Sequence, residues 1–318
     1  MQDIGASAAL YPFAFDVARD RLMLVPMDAD AYRAASFLDA RLGLAGRWFT
    51  AASVEAAMAE AHDARPLHFI FHAGHVGSTL LSRLLDEVRG VLPLREPMPL
   101  RDLAMLSGGE RRNYSSRLEL MLKLWERGFA DTRTVILKAT SFTQRIAEDL
   151  LIARPMAKAI MLNVSAETYL ATMLAGENSA ADLNALGPER WHRLQGLLGQ
   201  AVPRPQTLGE LIAMSWAAET LTQRQAVAGF SARILPLDFD AAIGNLEDTL
   251  RRVLNHFDLD GNPRAIVDSA VLKRYSKAPE HEYSPELRSQ LLAQARKNLG
   301  REIENALEWL STVMPAQS

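Results

Sequence analysis

The 318-residue sequence contains no cysteine, so disulfide bonds and thiolate metal sites are excluded. It also lacks a run of the ~20 consecutive apolar residues that a bilayer span requires. Neither sign of charge is in marked excess, because 35 Lys and Arg face 38 Asp and Glu. Binding to nucleic acid or to anionic lipid usually requires a basic excess, so neither partner is expected. Any anion site must therefore be local.

The first residues of the sequence lack the positive charge and the apolar stretch of a secretion signal. A soluble cytoplasmic protein is therefore expected. Hydrophobic residues make up 48% of the sequence and charged residues 23%, which is ordinary for a globular protein with a substantial core. The length fits two domains, and equally one α/β domain with an attached subdomain.

Residues 1–65 are predicted to form a separate N-terminal cap or edge subdomain. Segments 11–15 and 22–26 predict short strands, and segments 32–42 and 53–62 predict helices. No residue in this part of the sequence suggests chemistry, and its role stays open.

Residues 66–318 are predicted to form a three-layer α/β domain, in which a mostly parallel sheet is flanked by helices. Short, nearly uniform apolar runs are typical of strands buried on both faces, and amphipathic segments between them predict crossover helices. The predicted strands are 68–72, 91–94, 134–138, 157–164 and 232–239. The predicted helices are 80–88 ended by Gly90, 116–129, 143–153, a helical insertion over 167–225 with breaks at Gly187-Pro188 and Pro203–Pro205, and a C-terminal helix over 284–313 starting at Ser284 and Pro285.

A glycine-bounded turn follows the first of these strands. Gly74 and Gly77 allow backbone conformations in which consecutive N–H groups converge on an anion. Ser78 and Thr79 add hydroxyl donors at a helix N-terminus, where the helix dipole also favours negative charge. The alternative is a strand-turn-helix junction whose glycines only make room for packing. The Ser-Thr pair directly after an apolar strand favours a phosphate site.

The loop and four later stretches resemble the sulfotransferase superfamily. Residues 77–85 (GSTLLSRLL) followed by residues 94–97 (LREP) resemble its 5′-phosphosulfate loop and its Glu-Pro element. Residues 135–140, 159–174 and 233–259 agree with later family motifs in order and spacing. The resemblance covers about residues 67–260 and implies a P-loop-type fold. It also implies transfer of a sulfuryl group from 3′-phosphoadenosine 5′-phosphosulfate (PAPS), the co-substrate, to a hydroxyl or amine acceptor, without a metal.

The resemblance assigns donor-binding roles to specific positions. His75 and Val76 occupy positions where the family carries basic residues, and a protonated histidine is able to supply charge there. Val164 stands where the family has an arginine for the 3′-phosphate, which leaves the neighbouring Asn163 or Ser165 as a neutral donor. The complete set of predicted donor contacts is Gly74, His75, Val76, Gly77, Ser78, Thr79, Leu80, Asn163, Thr172, Lys273 and Arg274.

Three residues are predicted to take part in catalysis. Glu96 follows a short strand and precedes Pro97, and a glutamate in this element acts as the base in some members of the resembled family. Lys138 ends a strand at the sheet edge where ligands of open α/β sheets bind. His75 lies in the turn that would hold the anion. Structural roles stay open for two of them. Glu96 could instead pair with Arg95, Arg101 or a backbone N–H, and Lys138 could be a strand-end lysine that reaches solvent. His72, below the turn, is expected to be structural.

Two other functions remain open. A P-loop kinase or NTPase is disfavoured because no lysine follows Gly77 and no acidic residue ends the strands at 134–137 and 157–162 to anchor magnesium. An anion-binding protein that has lost catalysis is compatible with the residues at positions 75 and 164. The acceptor and the oligomeric state are not indicated by the sequence.

Overall fold

A five-stranded sheet lies at the centre of the computed structural model, which describes residues 4–60, 64–108, 113–176, 180–269, 271 and 285–314. Its strands are β4 (Leu67–His72), β5 (Val91–Arg95), β6 (Thr134–Lys138), β7 (Ala159–Asn163) and β8 (Ile234–Asp238), after three N-terminal strands. They are ordered β5-β6-β4-β7-β8, and every neighbouring pair is parallel. The strand that leads into the glycine turn is therefore central, with a neighbour on each side.

Alternate side chains of the sheet enter two separate cores. Phe69 and Phe71 of β4 belong to one core, whereas Ile70 between them belongs to the other. Because both faces are covered, the strands need apolar residues at nearly every position. The helices are α3 (Ser78–Leu85), α4 (Met98–Ser107), α5 (Tyr114–Trp125), α6 (Ala147–Ala153), α7 (Ala166–Leu174), α8 (Ala180–Leu198), α9 (Leu208–Gly229), α10 (Phe239–Gly244), α11 (Leu246–His256), α12 (Pro263–Val267) and α13 (Pro285–Val313), after two N-terminal helices. The predicted three-layer α/β fold is confirmed.

The helix after the glycine turn ends earlier than predicted. α3 stops at Leu85, and Asp86, Glu87 and Val88 donate their N–H groups to carbonyls only three residues earlier, so its end tightens into 3₁₀-type turns. Gly90 does not end the helix. It lies in the left-handed region, with φ of 85°, in the turn before β5.

The predicted break at Gly187-Pro188 is wrong. α8 continues through Pro188 because it packs closely along α9. A Cβ on Gly187 would lie 3.2 Å from Leu211. One turn later, Arg190 Nε donates to Glu219 of α9 over 2.8 Å, and both side chains are almost fully buried. These contacts outweigh the hydrogen bond that the proline cannot make. The break at Pro203–Pro205 is confirmed, since it separates α8 from α9.

The N-terminal part is a small antiparallel sheet that shares a core with the main sheet. It comprises β1 (Leu10–Asp16), β2 (Arg21–Pro26), α1 (Ala29–Ala34), β3 (Arg47–Thr50) and α2 (Ala51–Glu60), with strand order β1-β2-β3. β3 was not predicted because three of its four residues are exposed and it carries no apolar alternation. Buried residues of this part, among them Tyr11 and Tyr32, lie in the same core as Phe69 and Phe71.

Two arginines from the main domain hold this N-terminal part in place. The fully buried Arg95, at the end of β5, donates to the carbonyls of Tyr32 and Ala35 and pairs with Asp86. Arg83 of α3 donates to the carbonyl of Ala34, at 3.0 Å, and to Ser36 Oγ. Charge-assisted hydrogen bonds thus join α3 and the end of β5 to residues 32–36.

The C-terminal helix α13 matches its predicted range, and its expected cap Ser284 lies outside the described residues. It packs against α7 and α9, on the same face of the sheet as α3. Within the part of the chain that the structure describes, no helix has the length and apolar character needed to cross a membrane.

Candidate functional site

The glycine turn connects the end of β4 to the N-terminus of α3. Gly77 takes up a left-handed conformation with φ of 75°, and a Cβ there would lie 2.0 Å from the ring of Phe239. Both the backbone conformation and the lack of room for a Cβ therefore require glycine at this position. Gly74 also has a positive φ, of 99°, and its N–H donates to His72 Nδ1 over 3.1 Å. His72 thus contacts the turn through the hydrogen bond to Gly74, and Phe239 packs against Gly77.

Glu96 and Lys138 form a direct ion pair beside this turn. The pairing of β5 with β6 places Arg95 opposite Lys138, and the Glu96 N–H donates to the Lys138 carbonyl over 2.7 Å. Glu96 has a positive φ of 54°, a conformation that costs energy for a residue with a Cβ. The side chain of Lys138 is only 1% exposed, and burial lowers its pKa although Glu96 opposes the shift.

These groups line one large cavity of about 1200 Å³. Its walls come from the turn, from the carboxyl ends of β5 and β6, and from helices α4, α7, α8 and α13, and one wall comes from the N-terminal part. The volume exceeds the ~300–1,000 Å³ that is typical of small-molecule sites. The cavity lies at the sheet edge where the sequence predicted it.

Most predicted site residues meet at this cavity. The structure places there Gly74, His75, Val76, Gly77, Ser78, Thr79, Leu80, Glu96, Lys138 and Thr172. His75 is exposed and has a positive φ of 52°. The Thr172 hydroxyl donates to the Thr168 carbonyl within its own helix, over 2.7 Å. The predicted contacts Lys273 and Arg274 lie outside the described residues.

Asn163 does not line the cavity. Its amide donates to Thr220 and Gln223 of α9, each over 2.9 Å, and its carbonyl oxygen accepts the N–H of Val164. Val164 is buried, and its own carbonyl accepts a hydrogen bond from Trp216. The end of β7 is thus tied to α9 by polar contacts, and it offers no cation to the cavity.

Other residues at the cavity carried no recognisable signal in the sequence. Arg288 of α13 lines it, stacks over Phe239 at 5.0 Å and pairs with Asp240 over 2.7 Å. A single arginine in a helical period resembles any solvated residue, so its position depends on how α13 packs. The N-terminal part contributes Ser36, Phe37, Asp39, Ala40 and Arg41.

The charges around the cavity are mostly paired. Arg41 pairs with Asp39, and Arg101 with Asp182 over 3.1 Å. Asp102 also lines the cavity, and burial raises the pKa of its carboxyl to about 6. No group of three or more His, Asp or Glu side chains among the described residues is arranged to hold a metal ion.

Two polar atoms at the cavity, His72 Nε2 and Thr140 Oγ1, are buried without a hydrogen-bond partner among the residues that the structure describes. Buried polar atoms are normally paired, so each of these atoms requires an explanation. The expectation that His72 is a satisfied structural residue holds for its Nδ1 only.

No protein-family model matches the sequence, and no curated protein is significantly similar to it. Solved structures do resemble the chain. A sulfotransferase from Alicyclobacillus acidocaldarius is 14% identical, over 80% of this chain and 98% of its own, with a TM-score of 0.43. Sulfotransferase STF1 from Mycobacterium tuberculosis H37Rv is 16% identical over 74% and 78%, with a TM-score of 0.41. Mouse sulfotransferase SULT7A1 complexed with PAP is 10% identical over 82% and 97%, with a TM-score of 0.38. Each of these three solved structures is a sulfotransferase, and the loop and strand motifs of this chain resemble the same family.

Proposed function

We propose that the protein transfers a sulfuryl group from PAPS to a hydroxyl or amine acceptor. The observation that carries the proposal is the direct contact between Glu96 and Lys138 at the closed end of a cavity whose neighbouring wall is the glycine turn. A carboxylate and an ammonium beside an anion cradle are the groups that such a transfer needs, since the donor itself carries the reactive group.

In the proposed step, the acceptor oxygen or nitrogen attacks sulfur and forms a new bond to it. The bond between sulfur and the bridging phosphate oxygen breaks, and its electron pair stays on the departing adenosine 3′,5′-bisphosphate. Glu96 accepts the proton that the acceptor loses. Lys138 balances negative charge on the bridging oxygen, which is most effective where water is excluded, as the 1% exposure of its side chain indicates.

The donor contacts are proposed to divide between two ends of the cavity. The N–H groups after Gly74, with the hydroxyls of Ser78 and Thr79, would hold the 5′-phosphosulfate at the N-terminus of α3. Arg288 is the proposed cation for the 3′-phosphate, because it lines the same cavity whereas Val164 is buried and apolar. A phosphate there would replace or share its contact with Asp240.

Thermal unfolding with adenosine 3′,5′-bisphosphate, with ADP plus Mg²⁺, and without ligand tests the donor. A ligand present at 100 times its Kd stabilises the folded protein by about 2.7 kcal/mol. We expect stabilisation by the bisphosphate alone, followed by transfer of radioactive sulfate from PAPS to members of an alcohol and amine panel. A response only to ADP plus Mg²⁺ would contradict the proposal and favour a kinase or NTPase.

The same assay tests Arg288. We expect Arg288→Ala to weaken bisphosphate binding about tenfold, the effect of losing one charge-assisted hydrogen bond. Arg296→Ala is the matched control, because Arg296 lies on the same helix but pairs with Glu167 over 2.7 Å and does not line the cavity. Equal binding by both variants would remove Arg288 from the donor site.

A second candidate is an anion-binding protein of the same fold without turnover. The burial of Val164 and the exposed histidine at position 75 favour it, because neither supplies the permanent charge of the resembled family. Bisphosphate binding without sulfate transfer to any acceptor in the panel would support this second function.

A further inference from the structure

His72 lies at the inner end of the cavity and is only 5% exposed. Its ring stands between the turn and the ion pair of Glu96 and Lys138. On the side of the turn, Nδ1 accepts the N–H of Gly74 over 3.1 Å. A nitrogen that accepts a hydrogen bond carries no proton, so the neutral ring bears its proton on Nε2.

The Nε2–H group has no hydrogen-bond partner within the described part of the chain. The nearest carboxylate oxygen, Glu96 Oε1, is 3.9 Å away and already contacts Lys138. The backbone of Ala139 raises the pKa of the ring, but it makes no contact with Nε2 that has the geometry of a hydrogen bond. Leaving a buried donor unpaired costs free energy, which a ligand that accepts this hydrogen bond would recover.

His72 is buried beside a cation, and both features disfavour a charged imidazolium. Burial lowers the pKa of His72 well below its ordinary value, and the positive charge of Lys138 lowers it further. The backbone of Ala139 raises this pKa, and the smaller effects of His75 and Glu219 lower and raise it, respectively. A neutral imidazole with its proton on Nε2 is unable to serve as a base at that atom. It serves only as a hydrogen-bond donor.

We propose that His72 is a catalytic hydrogen-bond donor, whose Nε2–H binds an oxygen of the sulfuryl group during its transfer. The inference rests on the proposed function and adds a residue to it. The second orphaned donor, the hydroxyl of Thr140, follows Lys138 by two residues and lines the same cavity. Two neutral donors beside an ammonium are suited to bind the oxygens of an anionic sulfuryl group and to hold it in line while its bond to the bridging phosphate oxygen breaks. His72 keeps its proton throughout, and the proton of the acceptor goes to Glu96.

Two substitutions test the roles of the two ring nitrogens separately. His72→Asn places an amide oxygen near Nδ1, so the contact with Gly74 is retained and the donor at Nε2 is lost. His72→Gln places an amide nitrogen near Nε2, so the donor is retained and the contact with Gly74 is lost. Because Asn removes a donor to the reacting group, we expect it to lower kcat on the order of 100-fold with little change in bisphosphate affinity.

His72→Gln is expected to show the opposite pattern, with weaker bisphosphate binding and a smaller loss of kcat. A purely structural His72 would not produce this crossed pattern. His192→Asn, at an exposed residue of α8 away from the cavity, is the matched control and should behave as the parent.

The ¹⁵N NMR spectrum of the parent protein gives a measurement that does not depend on the folding of the variants. We expect His72 to remain a neutral Nε2–H tautomer from pH 8 down to pH 5, and its Nε2–H signal to shift when sulfate and adenosine 3′,5′-bisphosphate are added together. Protonation within that range, the opposite tautomer or an unchanged signal would overturn the assignment.

The failure of this inference differs from failure of the proposed function. If the parent transfers sulfate and His72→Asn keeps the kcat of the parent, only the role of His72 is refuted. If the parent neither binds the bisphosphate nor transfers sulfate, the proposed function fails and the role of His72 fails with it.

Discussion

A lysine and a glutamate share a nearly closed end of the cavity. Their side chains are 1% and 13% exposed, so most of their hydration is lost. In such places the cost of removing two charges from water is large, and it is offset only while the partners remain together. The ion pair between Glu96 and Lys138 therefore adds little net stability, but the loss of one partner alone destabilises the protein.

We expect Glu96→Gln to destabilise the protein by about 3–5 kcal/mol, because it leaves the ammonium of Lys138 buried without its counter-charge. The double variant Glu96→Gln with Lys138→Met should recover a large part of that loss. Urea unfolding of the single and double variants measures the coupling between the two side chains. Strictly additive losses would show that the pair is not coupled.

An exposed ion pair provides the control for this experiment. Lys158 contacts Asp258, whose side chain is 74% exposed. Lys158→Met should therefore cost less than about 1 kcal/mol.

At this residue scale, the sequence predicted those groups that end strands or sit in the turn. Glu96 and Lys138 could be identified because strand ends meet at one edge of a parallel sheet. Asn163 ends a strand too, but its side-chain amide donates hydrogen bonds to α9. The spacing of residues in the sequence does not predict that contact. Arg288 was missed because nothing near it in the sequence distinguishes it from an ordinary polar residue. Thr140 ends the stretch 135–140, which resembles a family motif, but the sequence does not show that its hydroxyl is buried at the cavity.

At the scale of elements, the conformation of the turn between β4 and α3 depends on contacts with a residue that follows β8, far from the turn in sequence. Phe239, directly after β8, presses its ring against Gly77, and Arg288 of α13 stacks over that ring. The conformation of the turn is thus fixed by elements more than 150 residues away in sequence, and not by the turn alone.

We expect Gly77→Ala to destabilise the protein and to abolish bisphosphate binding. The new Cβ would lie 2.0 Å from the Phe239 ring, and the backbone φ of 75° adds strain of about 1 kcal/mol. Gly43→Ala is the matched control, since Gly43 has a similar φ of 60° but no atom within 4 Å of the added Cβ. Chemical denaturation measures the loss of unfolding free energy in each variant, and the difference between the two losses gives the contribution of the clash with Phe239. Equal losses would show that Phe239 moves aside freely.

The sequence predicted the elements with strong periodicity and missed those without it. All five strands of the parallel sheet were anticipated within three residues of their ends, because burial on both faces imposes apolar runs. β3 lacks such a pattern because it is an exposed edge strand. The break at Gly187-Pro188 was predicted from local rules that the packing of α8 on α9 overrides.

At the scale of the whole molecule, the N-terminal part and the parallel sheet are joined through one core. The predicted boundary near residue 65 separates two sheets in sequence, but the buried guanidinium groups of Arg95 and Arg127 cross it. Arg127, which follows α5, donates to the carbonyls of Ile4 and Leu10. A core shared in this way favours unfolding in a single step.

We expect scanning calorimetry to show one transition for the whole chain. Arg95→Met should move that single transition to lower temperature, with a loss of about 3 kcal/mol or more, because it leaves Asp86 and two carbonyls without their partner. Arg19→Met, which removes an exposed pair with Asp16 in the β1–β2 hairpin, should change stability by less than about 1 kcal/mol. Two transitions, of which only one responds to Arg95→Met, would establish independent domains.

The contacts of Arg83 and Arg95 with residues 32–36 have a consequence for the width of the cavity. Arg83 lies on α3, which follows the glycine turn, and Arg95 ends β5, directly before Glu96. Both donate to the segment that leads into the opposite wall at residues 36–41. Two rigid guanidinium groups thus connect the two walls, and we expect the size of the molecules that fit between the walls to change when either arginine is substituted.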